Sequence, residues 1–171
     1  MDRDPLLRLE DQVAAVIREA LREETGSVLV FLPGQAEIGR TQERLSGRVP
    51  PDVDVVPLYG QLSPSEQDKA IEAAPVGRRK VVLSTSIAET SLTIEGVRIV
   101  IDSGLARVPV YEPSTGLSTL QTRAVSRASA DQRRGRAGRT EPGVCYRLWS
   151  EGQTSALSRR TCCPIPTAGS R

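Results

Sequence analysis

The sequence predicts a parallel α/β sheet flanked by helices. Apolar runs such as SVLVFLP, KVVLSTS and VRIVIDSG are short and continuous, the mark of strands buried on both faces. Between them, apolar residues recur at helical spacing. The connections are short, and strands alternating with helices in this way require right-handed crossovers within one sheet. At 171 residues, 38% hydrophobic and 26% charged, the chain has an ordinary globular composition and length for one domain with a real core.

Each element has its own signal. In residues 5–24 the side chains of Leu6, Leu9, Val13, Val16, Ile17, Ala20 and Leu21 form one helical stripe, and Gly26 ends it. Residues 27–33 give the first strand, 35–45 a second helix and 53–59 the next strand. Ser63-Pro64-Ser65-Glu66 supplies an N-cap, a proline at the first helical position and a capping-box glutamate, so a helix runs from there to about Ala74. Residues 80–86, 97–104 and 144–150 are further strands. Residues 107–125 break the alternation. There two β-prone arms flank Pro113-Ser114-Thr115-Gly116, which predicts a hairpin protruding from the sheet. Residues 126–139 read as a helix in which Gly135 and Gly138 each cost about 1 kcal/mol. That cost is reasonable where another backbone or a ligand comes close. The pattern fails after Glu151, so residues 152–171 read as a disordered or non-native tail behind a domain spanning 1–151.

Composition excludes several functions. The chain has no histidine, which removes Ser-His-Asp and Cys-His catalysis and every histidine-containing zinc site. Cys145 lies in an apolar run and reads as a small buried hydrophobe, while Cys162 and Cys163 are adjacent and lack metal-ligand spacing. No metal site is expected. Lys69 and Lys80 are the only lysines and neither follows a glycine, so a GxxxxGK[ST] phosphate loop is absent. Net charge is +2, so any nucleic-acid site must be local rather than a global basic field. No membrane span or signal peptide is legible, and the chain reads as cytoplasmic.

One stretch concentrates charge: QRRGRAGR at 132–139 holds four arginines and two glycines. It could be a flexible basic segment coating nucleic acid, or a helix presenting selected arginines to one highly charged ligand. At 3.6 residues per turn Gln132, Arg136 and Arg139 share a narrow stripe, and Arg133 and Arg134 point elsewhere. A coating tract has no reason to keep that register, yet the run alone does not decide.

The ordered set of motifs does. VLVFLPG (28–34), LYGQLSPSEQ (58–67), STSIAETSLTIEG (84–96) and QRRGRAGR (132–139), in this order and spacing, resemble the second RecA-like domain of superfamily 2 helicases of the DEAH/RHA type. The run SRASADQRRGRAGRTEPGVCYRLWSE, with ARVPVYEPSTGLSTL ahead of it, resembles the bacterial HrpB-like helicases in particular. The resemblance covers about residues 5–151. It implies a P-loop NTPase-like fold without a P-loop, and ATP bound between two RecA-like domains. The first of these, missing from this chain, would supply the phosphate loop, the Mg2+ site and the catalytic acid. Motif position implies that Arg139 is the arginine finger and Arg136 a second phosphate contact. Gln132 then orients the γ-phosphate or attacking water.

The same resemblance implies RNA-phosphate contacts at Ser84 and Thr85 and an RNA-facing turn at Gly34 and Gln35. It sets Thr93 and Glu95 near the ATP ribose and Ile71 near the base. The family often has Asp where Glu95 stands, and many eukaryotic relatives an aromatic where Ile71 stands. Glu89 and Thr90 are expected to hold the turn together, and Arg133 and Arg134 to carry surface or RNA contacts. The family continues into a winged-helix and further helical domains, so the tail is expected to mark a truncation, a fragment or a shifted frame. The reading is one half of an ATP-dependent RNA helicase acting on single-stranded nucleic acid. Its alternatives are a stand-alone nucleic-acid-binding module or a non-functional helicase fragment.

Overall fold

In the computed structural model, which describes residues 8–89, 92–137, 143–148 and 161–163, helices and strands alternate as the sequence predicts. In chain order they are helix α1 (Leu9–Glu23), strand β1 (Ser27–Phe31), α2 (Gln35–Leu45), β2 (Val53–Leu58), α3 (Pro64–Ile71), β3 (Arg79–Ser84), a 3-10 turn (Ser86–Ala88) and β4 (Val97–Asp102). Strands β5 (Leu105–Glu112) and β6 (Leu117–Ala124), helix α4 (Arg127–Arg134), β7 (Gly143–Arg147) and β8 (Thr161–Cys163) complete the chain. The main sheet has the order β2-β3-β1-β4-β7-β8, and every pair from β2 to β7 is parallel. The last pair is antiparallel: Thr161–Cys163, inside the stretch read as an unpatterned tail, pairs with Cys145 back to Gly143.

The period of two along a strand builds the core on both faces of the sheet. Val28, Val30, Val81, Leu83, Ile99 and Ile101 point to one face, where Val13, Ile17 and Ala20 of α1 and Ile38 and Leu45 of α2 cover them. Leu29, Phe31, Val82 and Val100 point to the other, under Ala70 of α3, Ala88 and Ala137. Every residue of β1 is buried, as its unbroken apolar run requires. Cys145 is likewise buried and a free thiol.

The element ends differ from the sequence reading for identifiable reasons. The capping box at Ser63 forms as expected, with Glu66 Oε2 accepting from the Ser63 backbone N–H at 3.0 Å. Helix α3 nevertheless stops at Ile71 rather than near Ala74, with Glu72 already extended (ψ 147°). Pro75 disfavours helical backbone just before it, and the buried Lys80 ammonium takes up the freed carbonyls, donating to Lys69 O at 2.6 Å and to Glu72 O. Helix α4 ends at Arg134 rather than continuing through 139. Beyond it the backbone tightens to i→i+3 bonds, Arg136 N–H to Arg133 O and Ala137 N–H to Arg134 O, both 3.1 Å. Gly135 is at this end, and a side chain there would meet only carbonyls of its own last turn, so no outside backbone explains it.

Strands β5 and β6 form the hairpin, in register from Leu105↔Ala124 to Glu112↔Leu117. Gly116 (φ +68°) makes its tip, and every residue of β6 is exposed.

Candidate nucleotide and nucleic-acid faces

Parallel sheets bind ligands at the carboxyl ends of their strands. Strands β1 and β3 pair as far as Phe31↔Ser84, so the residues that follow them emerge side by side. Gly34, Gln35 and Thr85 therefore line one cleft of about 350 Å³, together with Gln61, Ser86 and Arg107. Gln35 Nε2 donates to Gln61 Oε1 across it at 2.6 Å. Leu120 of β6 also lines it, so the hairpin forms one wall. Sequence reasoning missed Arg107, Gln61 and Leu120, because nothing in the motifs says that the hairpin root leans over the strand ends.

Ser84 does not join this cleft. It is fully buried, and its hydroxyl donates to Val30 O at 3.0 Å, tying β3 to β1. The expected phosphate contact through its hydroxyl is corrected by that burial. Thr85 is half-buried, and its N–H donates to Leu58 O at 3.3 Å.

The other end of the same loop builds a second face. Thr93 and Arg136 line a narrow crevice with Leu92 and Ile94. The Glu95 N–H donates to Ile71 O at 3.2 Å, which joins the end of α3 to this loop and brings Ile71 and Glu95 together. Gln132 is exposed. Arg139 and Thr90 lie outside the described residues.

Glu89 links the loop to α4. Its Oε1 accepts from Ser129 Oγ at 2.6 Å and from Arg133 Nε at 2.7 Å, and its carbonyl accepts Arg136 Nε at 2.7 Å. Arg136 is thereby docked on the loop backbone beside Thr93.

Arg133 corrects the sequence reading outright. Expected to carry surface or RNA contacts, it is 0% exposed. Its Nη1 donates to Asp102 Oδ1 at 2.8 Å and to Leu105 O at 3.2 Å, and its guanidinium is stacked 4.8 Å from the Phe31 ring centroid. Asp102 also accepts the Gly104 N–H at 2.8 Å; burial pushes its carboxyl above the usual carboxylate range, against the opposing pull of Arg133. One signal was available: Ala130, Arg133 and Ala137, three and four apart, form the inward stripe of this segment. The acidic partners are 31 and 44 residues away and left no local trace. Arg134 stays half-exposed, 3.9 Å from Asp131. Arg147, also unforeseen, is buried with Nη2 3.2 Å from Asp131 Oδ1.

Among the described residues no three His, Cys, Asp or Glu side chains converge as a metal-ion cluster, and no helix is long and apolar enough to cross a membrane.

A parallel sheet carrying one cleft at its strand ends, and an arginine-bearing helix docked on the loop beside it, defines a RecA-like α/β domain. The model of the helicase conserved C-terminal domain matches residues 11–141, and the chain belongs to that family. It is 55% identical over 154 residues to the ATP-dependent RNA helicase HrpB of Escherichia coli (strain K12), covering 90% of this chain and 19% of that protein. It is 50% identical over 148 residues to the chloroplastic ATP-dependent RNA helicase DEAH11 of Arabidopsis thaliana, covering 86% of this chain and 8% of that one. The crystal structure of the E. coli DExH-box NTPase HrpB superposes with a TM-score of 0.84 at 51% identity, over 92% of this chain and 20% of the other. The chain thus spans a fifth or less of the length of these relatives.

Proposed function

We propose that this chain is the second motor domain of an ATP-dependent RNA helicase. In this reading it supplies an arginine finger to ATP held against a first RecA-like domain, and one side of a single-stranded RNA track. The observation that carries the reading is the connection from β3 to β4. It lines the cleft with Thr85 and the crevice with Thr93, so one segment reaches both of the proposed ligand faces.

Phosphoryl transfer is catalysed by positioning and by neutralising charge on the γ-phosphate, and an arginine fork grips phosphate oxygens well. Arg139 is assigned the finger, Arg136 a second phosphate contact, and Gln132 the orientation of the γ-phosphate or water. The docking of Arg136 on Glu89 O supports this, because it holds Arg136 beside Thr93 on the proposed nucleotide face. Thr93 and Glu95 are assigned to the ribose side of the nucleotide and Ile71 to its base. Thr85, Gly34 and Gln35 are assigned to the RNA track, where backbone contacts position without reading sequence. ATP brings Mg2+, which is assigned to the first domain; among the described residues no acidic cluster would hold it.

The test is ATP hydrolysis in a protein carrying both motor domains. Arg139→Ala should lower turnover about 10³-fold while sparing nucleotide binding, because the finger acts on transition-state charge. Unchanged turnover would overturn the assignment.

A further inference from the structure

We infer that Arg107 binds a backbone phosphate of single-stranded nucleic acid, and that Gly34 lacks a side chain in order to leave room for it. The inference rests on the proposed track along the strand ends and adds to it a residue outside the four ordered motifs.

Arg107 is the one charged residue among the described residues that line the cleft, where its neighbours Gln35, Gln61, Thr85 and Ser86 are neutral and polar. Its side chain is 39% exposed, and Nη2 donates to Glu37 Oε1 at 2.9 Å. A guanidinium carries five N–H donors, and this is the one hydrogen bond that the Arg107 side chain makes among the described residues. The rest of the fork stays available to an anion. Glu37 is buried on the first turn of α2 and also lies 3.6 Å from Arg40, so its charge is shared and does not cancel Arg107 alone.

Gly34 supplies the independent observation. Its backbone is fully extended (φ −167°, ψ 178°), which any residue adopts, so conformation does not call for glycine. Space does. A Cβ at this position would stand 2.8 Å from Arg107 Nε and 3.1 Å from Glu37 Oε2. The close approach is to the end of a flexible side chain, so an alanine would push Arg107 aside and leave the fold intact. Glycine at the turn therefore preserves the placement of one guanidinium over the cleft.

A clamp joining the hairpin to α2 would use the same ion pair, and salt dependence separates the two roles. Binding of the 171-residue chain to a labelled single-stranded RNA is followed by fluorescence anisotropy at several salt concentrations, with circular dichroism confirming the fold of each variant. Arg107→Gln should weaken binding about tenfold at low salt, the scale of one charge-assisted hydrogen bond. It should also reduce the slope of log K against log salt by about 0.7, one phosphate's share on a single strand. Gly34→Ala should weaken binding similarly and add nothing in the Arg107→Gln background. Glu37→Gln, which breaks the clamp but keeps the cation, should retain the slope. If Arg107→Gln binds with the wild-type affinity and slope, the inference fails and the RNA-track reading stands. If Gly34→Ala weakens binding further in the Arg107→Gln background, the space-making role is wrong. If the wild-type chain binds no RNA even at low salt, the track reading itself fails.

Discussion

Arg133 is the largest fully buried side chain among the described residues, and its charge is answered from two directions by Asp102 and Glu89. Removing one partner of such a pair leaves the other charge stranded, which is far worse than never having buried the pair. Arg133→Ala should therefore lower stability by about 3–5 kcal/mol in urea unfolding. Arg134→Ala, at a half-exposed site with its Asp131 partner 3.9 Å away, should stay within about 0.5 kcal/mol. Equal losses would mean that the buried node is not what holds α4. The comparison also guards functional work: a dead Arg133 variant reports on folding of the arginine helix, not on the chemistry proposed for Arg139.

At the scale of elements, two adjacent cations at the start of β3 finish two helices on opposite faces of the sheet. The strand's period of two sends Arg79 one way and Lys80 the other. Arg79 donates to Leu21 O (2.8 Å), Glu24 O (2.9 Å) and Gly26 O (2.9 Å), closing the end of α1. Lys80 donates to Lys69 O and Glu72 O, closing α3. Burial lowers the pKa of both groups, and these carbonyls compensate their lost water. Lys80→Met should cost about 1–3 kcal/mol, since the last carbonyls of α3 lose their donor. Because α3 ends beside Glu95, the same variant should also raise hydrogen exchange at the Glu95 amide, which donates to Ile71 O. Unchanged exchange there would show that α3 is held by its capping box and Ala70 alone.

For the whole molecule, the proposed role is that of half a machine. A cleft with one cation and neutral polar neighbours offers few phosphate contacts, and net charge is only +2. The isolated chain should therefore bind single strands weakly, without sequence preference and with a shallow salt dependence. It should release no phosphate from ATP, with or without RNA, for want of a phosphate loop in its sequence. A first motor domain joined in cis should tighten RNA binding and make it respond to nucleotide, because ATP in the interdomain cleft draws both halves of the track together. Submicromolar affinity of the isolated chain at physiological salt would favour a stand-alone binding module instead.

The sequence by itself determined the parallel sheet, its order of elements, the hairpin and the family. Each of these is written in local periods and short motifs, such as the apolar run of β1, the capping box at Ser63 and the tip at Gly116. It also marked Gly34, Gln35 and Thr85, which the adjacency of β1 and β3 brings to one cleft. Helix ends were less legible, because the cations that close α1 and α3 come from a distant strand. Which arginine of QRRGRAGR faces inward was decided only by the tertiary structure. A buried guanidinium is tolerable only where carboxylates already wait, and Glu89 and Asp102 reach Arg133 through the folding of the sheet, not through neighbouring sequence. The positions of Ser84 and Arg107 were decided in the same way. Pairing with β1 turned the Ser84 hydroxyl to Val30 O, and the lean of the hairpin carried Arg107 over Gly34.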